Sequence, residues 1–228
     1  MPELKKFEIT SPVAIIIAGV VIADAIVFAH MRPAAPAEAG AAVATVSATS
    51  VRPPSAQDHI VGSPTAPIVL VEYSDFQCPF CSMIHPTLKK IVGESGGKIA
   101  WVMRQFPLDS IHPQANPAAN AAECIAAQLG NTGFWKFADA IFANQQSISP
   151  AYYAQLAQQF GADMPQYNAC FAASKYQTVI DADVAEAQAA GASGTPYTIV
   201  LNTRTNKAAP VSGALPEAQI MAVIKSVQ

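Results

Sequence analysis

Residues 68–92 constrain this chain more than any other stretch. Ile68-Val69-Leu70-Val71 opens a short, nearly continuous apolar run, the pattern of a strand buried on both faces. A few residues later Ile84, Leu88, Ile91 and Val92 recur at helical spacing. Between the two patterns stands Cys78-Pro79-Phe80-Cys81, so both cysteines sit where a strand hands over to a helix. The first turn of a helix carries unpaired N–H groups and a partial positive charge, which favour a thiolate over a thiol. Cys78 is therefore expected to be an acidic, exposed thiol. Cys81, one turn in, is expected to point toward the strand and to close a small disulfide ring with Cys78. Pro79 suits the opening of a helix, because its missing N–H would have no partner there, whereas Pro86 should kink the helix.

The run Glu72-Tyr73-Ser74-Asp75-Phe76-Gln77-Cys78-Pro79-Phe80-Cys81 resembles the DsbA-like branch of extracytoplasmic thiol–disulfide oxidoreductases in the thioredoxin superfamily. In that superfamily a proline commonly follows the second cysteine by five positions, as Pro86 does, and a buried acid precedes the first by six, as Glu72 does. The resemblance covers about Ile60 to Gln228. It implies an α/β, thioredoxin-like fold: a central mixed sheet flanked by helices, with an inserted all-helical subdomain over the active site. As catalytic residues it implies Cys78 as the attacked and attacking sulfur and Cys81 as the resolving one, joined as a redox-active disulfide. Glu72 would lie beneath Cys81 and pass protons to it, its pKa raised by desolvation. X–Pro bonds alone adopt cis cheaply, and the resemblance implies a cis Thr195-Pro196 bond packed against the cysteines. Backbone groups of Thr195 beside Pro196 would then hold an extended client. Pro79 and Phe80 would shape the mouth of the helix, and Phe76 and Phe80 would form part of an apolar client surface.

Ahead of this domain lie two segments of different composition. Residues 1–30 hold Lys5 and Lys6 followed by a mostly apolar run, Val13 to Ala29, read as a signal-anchor or transmembrane segment although Asp24 weakens it. The positive-inside rule puts everything after His30 outside the cytoplasm, and Val27-Phe28-Ala29 offers a cleavage site that would yield a secreted form instead. Residues 31–58 are rich in Ala and Pro with hardly a large apolar side chain, and are expected to form a flexible tether. The domain proper is placed at 59–228. A short edge strand at His59 to Gly62, the central strand, and a strand at Lys98 to Phe106 parallel to it precede a helical insert at about 113–190. A strand from Tyr197, its hairpin partner at Ala208 to Ser212, and an amphipathic helix from Pro216 to Val227 close the chain.

Cys124 and Cys170 fall on separate helices of the insert. An exported domain meets an oxidising compartment, so a structural disulfide between them is expected, two buried free thiols being the alternative. They are too far apart for a four-cysteine zinc ribbon, and haem attachment needs His where Ser82 stands. With a net charge of −3 and no basic run beyond Lys5-Lys6 and Lys89-Lys90, nothing points to nucleic acid. The expected function is an exported protein thiol–disulfide oxidoreductase that donates disulfides and needs no metal or other cofactor. Its partners would be thiol-bearing clients and a membrane protein, DsbB-like or VKOR-like, that reoxidises it. A reductase or isomerase would use the same residues in the other direction. A tethered module binding Cu(I) through Cys78 and Cys81, with His85 or Met83, is a reading from another class that leaves Pro196 without a purpose. His85 reads as a solvated helix residue and His112 as a packing or capping one. Phe134, Trp135, Phe137 and Phe142 read as the core of the insert.

Overall fold

The computed structural model describes residues 50–228. Five strands form one mixed sheet in the order β1-β3-β2-β4-β5: β1 His59–Val61, β2 Ile68–Ser74, β3 Ile99–Gln105, β4 Tyr197–Asn202 and β5 Ala208–Ser212. Only β2 and β3 run parallel, joined by the crossover helix α1, Pro79–Glu94; the other neighbours are antiparallel. All seven residues of β2 and all seven of β3 are buried, as expected of central strands covered on both faces. The insert consists of α2 Ala115–Ala143, α3 Pro150–Phe160, α4 Met164–Ala172 and α5 Gln177–Ala189, and α6 Glu217–Val227 ends the chain. This is the mixed sheet with flanking helices that the resemblance implies. The anchor segment and most of the tether lie outside the described residues.

The two-residue period of β2 divides the core. Ile68 and Leu70 face α1, α6 and the insert, packing with Ile84, Leu88, Phe137 and Ile224. Val69, Val71 and Tyr73 face the other way, with Ala187 and Ala190 at the end of α5. Local chemistry sets the breaks in the insert. Gly130, at φ 65°, interrupts α2, and Ser149 caps α3 by accepting from Tyr152 N ahead of Pro150. Left-handed Gly161 ends α3. Pro86 does not end α1, which runs on through it to Glu94.

Composition puts the end of the tether at residue 58, but the chain is packed on the domain from Val51, which is 3% exposed in the second core. Arg52 donates to Asp183 Oδ1 at 2.6 Å and to Glu186 Oε2 at 2.8 Å, both on α5. Arg104, buried on β3, grips Asp58 through Nε at 2.8 Å, donates to the Arg52 carbonyl at 3.1 Å and pairs with Glu186. Burial works against the Asp58 carboxylate, yet Arg104 holds its pKa below the ordinary value. Removing one member of such a buried set leaves its partners charged and unpaired. The substitution Arg104→Met is expected to lower stability by about 3–5 kcal/mol, read from urea unfolding of the full chain.

Candidate active site

Strand register brings the site together. Tyr73 on β2 stands opposite Tyr197 on β4, and the strands are antiparallel, so the end of β2 and the start of β4 share one edge of the sheet. The loop to α1 leaves that edge, and the Thr195-Pro196 peptide, which is cis, arrives at it. Cys78 is the N-cap of α1 and Pro79 its first residue. The Cys78 carbonyl accepts from Cys81 N at 3.1 Å and Ser82 N at 3.3 Å, closing the first turn. Both cysteines are free thiols in this structure.

Cys78 is not the exposed thiol that the sequence suggests. It is 3% exposed, with Sγ 3.5 Å from the Thr195 carbonyl. The loop before β4 covers it, and that loop lies more than a hundred residues away in sequence. The Cys81 thiol donates toward the Cys78 sulfur and is the largest influence drawing its pKa down to about 5; burial opposes this, and the Thr195 side chain and the amides of Cys81 and Phe80 assist. Cys81 is wholly buried, and burial first, then its role as donor to Cys78, pushes its pKa well above the ordinary thiol value. The two thiols thus differ in acidity because Cys78 receives hydrogen bonds at the helix mouth while Cys81, the more deeply desolvated, supplies one.

Glu72 is 1% exposed on the α1 side of β2. Burial raises its pKa to about 7, opposed by the nearby Ser74 hydroxyl and by the Trp101 hydrogen bond, with the charge on Cys78 adding to the rise. Trp101 Nε1 donates to its Oε2 at 2.9 Å, while Oε1 has no partner. A carboxylic acid poised near neutrality below a buried thiol can take or give a proton.

Sequence reasoning missed the groups that hold the loop. Asp75, 1% exposed, accepts from Gln77 N at 2.7 Å and Cys78 N at 3.1 Å through Oδ1. Its Oδ2 accepts from Leu108 N at 2.8 Å and lies 2.8 Å from His112 Nδ1. An Asp two and three residues ahead of the amides it caps is an Asx turn, a local signal that could have been read. Gln145, in the short turn after α2, donates to the carbonyls of Phe76 at 3.0 Å and Cys78 at 2.9 Å, and nothing local announces it. Phe76 is 1% exposed against Phe137 and Phe142, so it belongs to the core and not to a client surface. Phe80 is 56% exposed. His85 is buried as well, between Trp101 and Phe142 with Nε2 2.8 Å from Asp139, because α2 packs across that face of α1. Cys124 on α2 and Cys170 on α4 are joined as a disulfide inside the insert. Among the described residues no group of three or more His, Cys, Asp or Glu side chains gathers to hold a metal.

A protein-family model described as Thioredoxin matches residues 55–218. Among curated proteins, a Na(+)/H(+) antiporter, NhaA 3 of Salinispora tropica, is 33% identical over 148 residues, covering 65% of this chain and 22% of the antiporter. The chain spans about a fifth of the length of that relative. Among solved structures, DsbA2 of Pseudomonas aeruginosa superposes with a TM-score of 0.64 at 24% identity, over 77% of this chain and 96% of that one. The alpha-DsbA1 protein of Wolbachia pipientis gives a TM-score of 0.65 at 22% identity, over 79% and 95%. The fold is that of the DsbA proteins.

If the Cys81 thiol is the chief stabiliser of the Cys78 anion, the ultraviolet absorbance of the thiolate in the reduced protein should rise with a midpoint near pH 5. In Cys81→Ala the midpoint should move up toward the ordinary thiol range.

Proposed function

We propose, from the premise that this chain belongs to the thioredoxin family, that it is an exported thiol–disulfide oxidoreductase donating its Cys78–Cys81 disulfide to client proteins. The observation that carries this reading is the placement of two thiols one helical turn apart, Cys78 capping α1 against the cis Thr195-Pro196 loop and Cys81 wholly buried behind it, which draws the first thiol's pKa down and pushes the second's up. A client thiolate attacks Cys78 Sγ, the bond to Cys81 breaks, and Cys81 keeps the electron pair and takes a proton. A second client thiolate attacks the client sulfur of the mixed disulfide, expelling Cys78 as a thiolate and leaving the client oxidised. Because the fold stabilises that anion, Cys78 is a good leaving group and the reduced enzyme is favoured, which makes the couple oxidising.

Several features support the client side of the reading. Phe80 and Met83 on α1 and Ile111 in the loop before α2 are 56%, 61% and 66% exposed, large apolar side chains of the kind that suit contact with unfolded protein. The Thr195 backbone beside Cys78 offers an extended client strand-like contact. The Cys124–Cys170 disulfide supports an oxidising compartment, and the Lys5-Lys6 pair before the apolar run from Val13 supports export and attachment to the membrane. Among the described residues no helix is long and apolar enough to cross a membrane, so attachment rests on residues 1–30 alone. Renewal of the disulfide calls for an electron acceptor, and a DsbB-like or VKOR-like membrane protein fits that need. The antiport in the Salinispora relative's name stays with a protein of which this chain covers 22%.

Equilibration of the Cys78–Cys81 couple with glutathione tests the direction. A disulfide donor should give a potential above about −180 mV, whereas a value near −270 mV would make the protein a reductase.

A further inference from the structure

Three oxygens on one face of the sheet lie buried without a hydrogen-bond partner: Glu72 Oε1, Ser74 Oγ and Thr198 Oγ1. Their grouping follows from the strands. Glu72 and Ser74 are two apart on β2, so both side chains point to the α1 side, and Thr198 stands directly opposite Glu72 on β4. Native structures rarely leave such atoms idle, and a cluster of them at a reaction centre calls for an explanation in terms of work. Ser74 is wholly buried, as is Cys81. The next amide after Ser74, that of Asp75, donates to Cys81 Sγ at 3.5 Å, which places the end of β2 against the sulfur. Trp101 already occupies the other oxygen of Glu72, leaving Oε1 as the one free to trade a proton.

We propose that Ser74 is a further catalytic residue, its hydroxyl carrying the proton between Cys81 and Glu72. This rests on the thiol–disulfide exchange proposed above. When Cys81 acts as nucleophile on a mixed disulfide at Cys78, its S–H proton passes to Ser74 Oγ while the Ser74 hydroxyl proton passes to Glu72 Oε1. The Cys81 thiolate forms the bond to Cys78 Sγ, the bond from Cys78 to the client sulfur breaks, and the client leaves with the electron pair. The client is reduced, the cysteine pair is oxidised, and Glu72 holds the proton. In the donor direction the same route runs backward and supplies the proton that Cys81 takes as it leaves. The Ser74 side chain also steadies the ionised forms of both Glu72 and Cys81, as a group serving the two must. The titratable groups facing this spot are Glu72 on β2 and Cys78 and Cys81 on α1; His85, one turn further along α1, is separated from Glu72 by Trp101.

Reaction of the reduced full-length protein with glutathione disulfide separates the steps: attack by Cys78 gives a mixed disulfide, and attack by Cys81 collapses it. Ser74→Ala should slow the collapse on the order of tenfold or more and remove its inflection near pH 7, while alkylation of Cys78 and the melting temperature stay close to wild type. Glu72→Gln should do the same, and the double variant should be no slower than either single one, because both interrupt one path. Collapse of Ser74→Ala at the wild-type rate with the wild-type pH profile would overturn the proposal, as would additive slowing in the double variant. Failure of the wild-type protein to form any mixed disulfide would instead remove the exchange reading, and the relay with it.

Discussion

The site depends on the anion at Cys78, and the surrounding residues can be understood by what they do to it. The sulfur stands where α1 begins, so the amides of Phe80 and Cys81 converge on it and the Cys81 thiol donates to it. Such a group would gain little if it swung freely, since oriented donors act only on charge held in place. Asp75 fixes the amides of Gln77 and Cys78 from below, Gln145 fixes the carbonyls of Phe76 and Cys78 from the insert, and the loop at Thr195 closes the remaining side. The helical insert thus acts as part of the loop's support as well as a cover over it.

The same geometry makes the second thiol reluctant to ionise. Cys81 lies one turn further along α1, which carries it from the helix mouth to the buried face of β2, where desolvation penalises its charge and Glu72 adds repulsion. Donor and acceptor roles are therefore set by position on α1, Cys78 capping its first turn and Cys81 lying within it. Pro79 at the first position of α1 holds the start of the helix, and with it the place of both sulfurs.

What the sequence disclosed was local. The strand-to-helix step around Cys78 and Cys81, the breaks at Gly130 and Gly161, and the cap at Ser149 are written in neighbouring residues, and each appears in the fold. The misread residues are those whose environment comes from far along the chain. Phe76 and His85 go inward because α2 packs over them, Cys78 is covered because Thr195 returns to it, and Val51 and Arg52 join the domain because Asp183 and Glu186 wait on α5. Periodicity in a window of a few turns carries no information on such pairings. Asp75 stood in plain view inside the motif, and while its turn with Gln77 and Cys78 is local, its contacts with Leu108 and His112 come only from the topology.

Linkage supplies the sharpest test of the claim that the fold stabilises the Cys78 thiolate. A thiol whose folded pKa lies below its unfolded value adds stability above the unfolded value, near pH 9, and loses it as pH falls through about 5. Closing a four-residue disulfide ring is worth only about 2 kcal/mol by loop entropy, less than the full displacement contributes above about pH 9 even after discount for solvent screening, whereas near pH 7 only about half of that contribution remains. Urea unfolding of the oxidised and reduced proteins across pH 4–9 measures the balance directly. The account predicts that the reduced protein is the more stable near pH 9 and that its advantage shrinks steadily as pH falls toward 5; an oxidised protein more stable at every pH would contradict it.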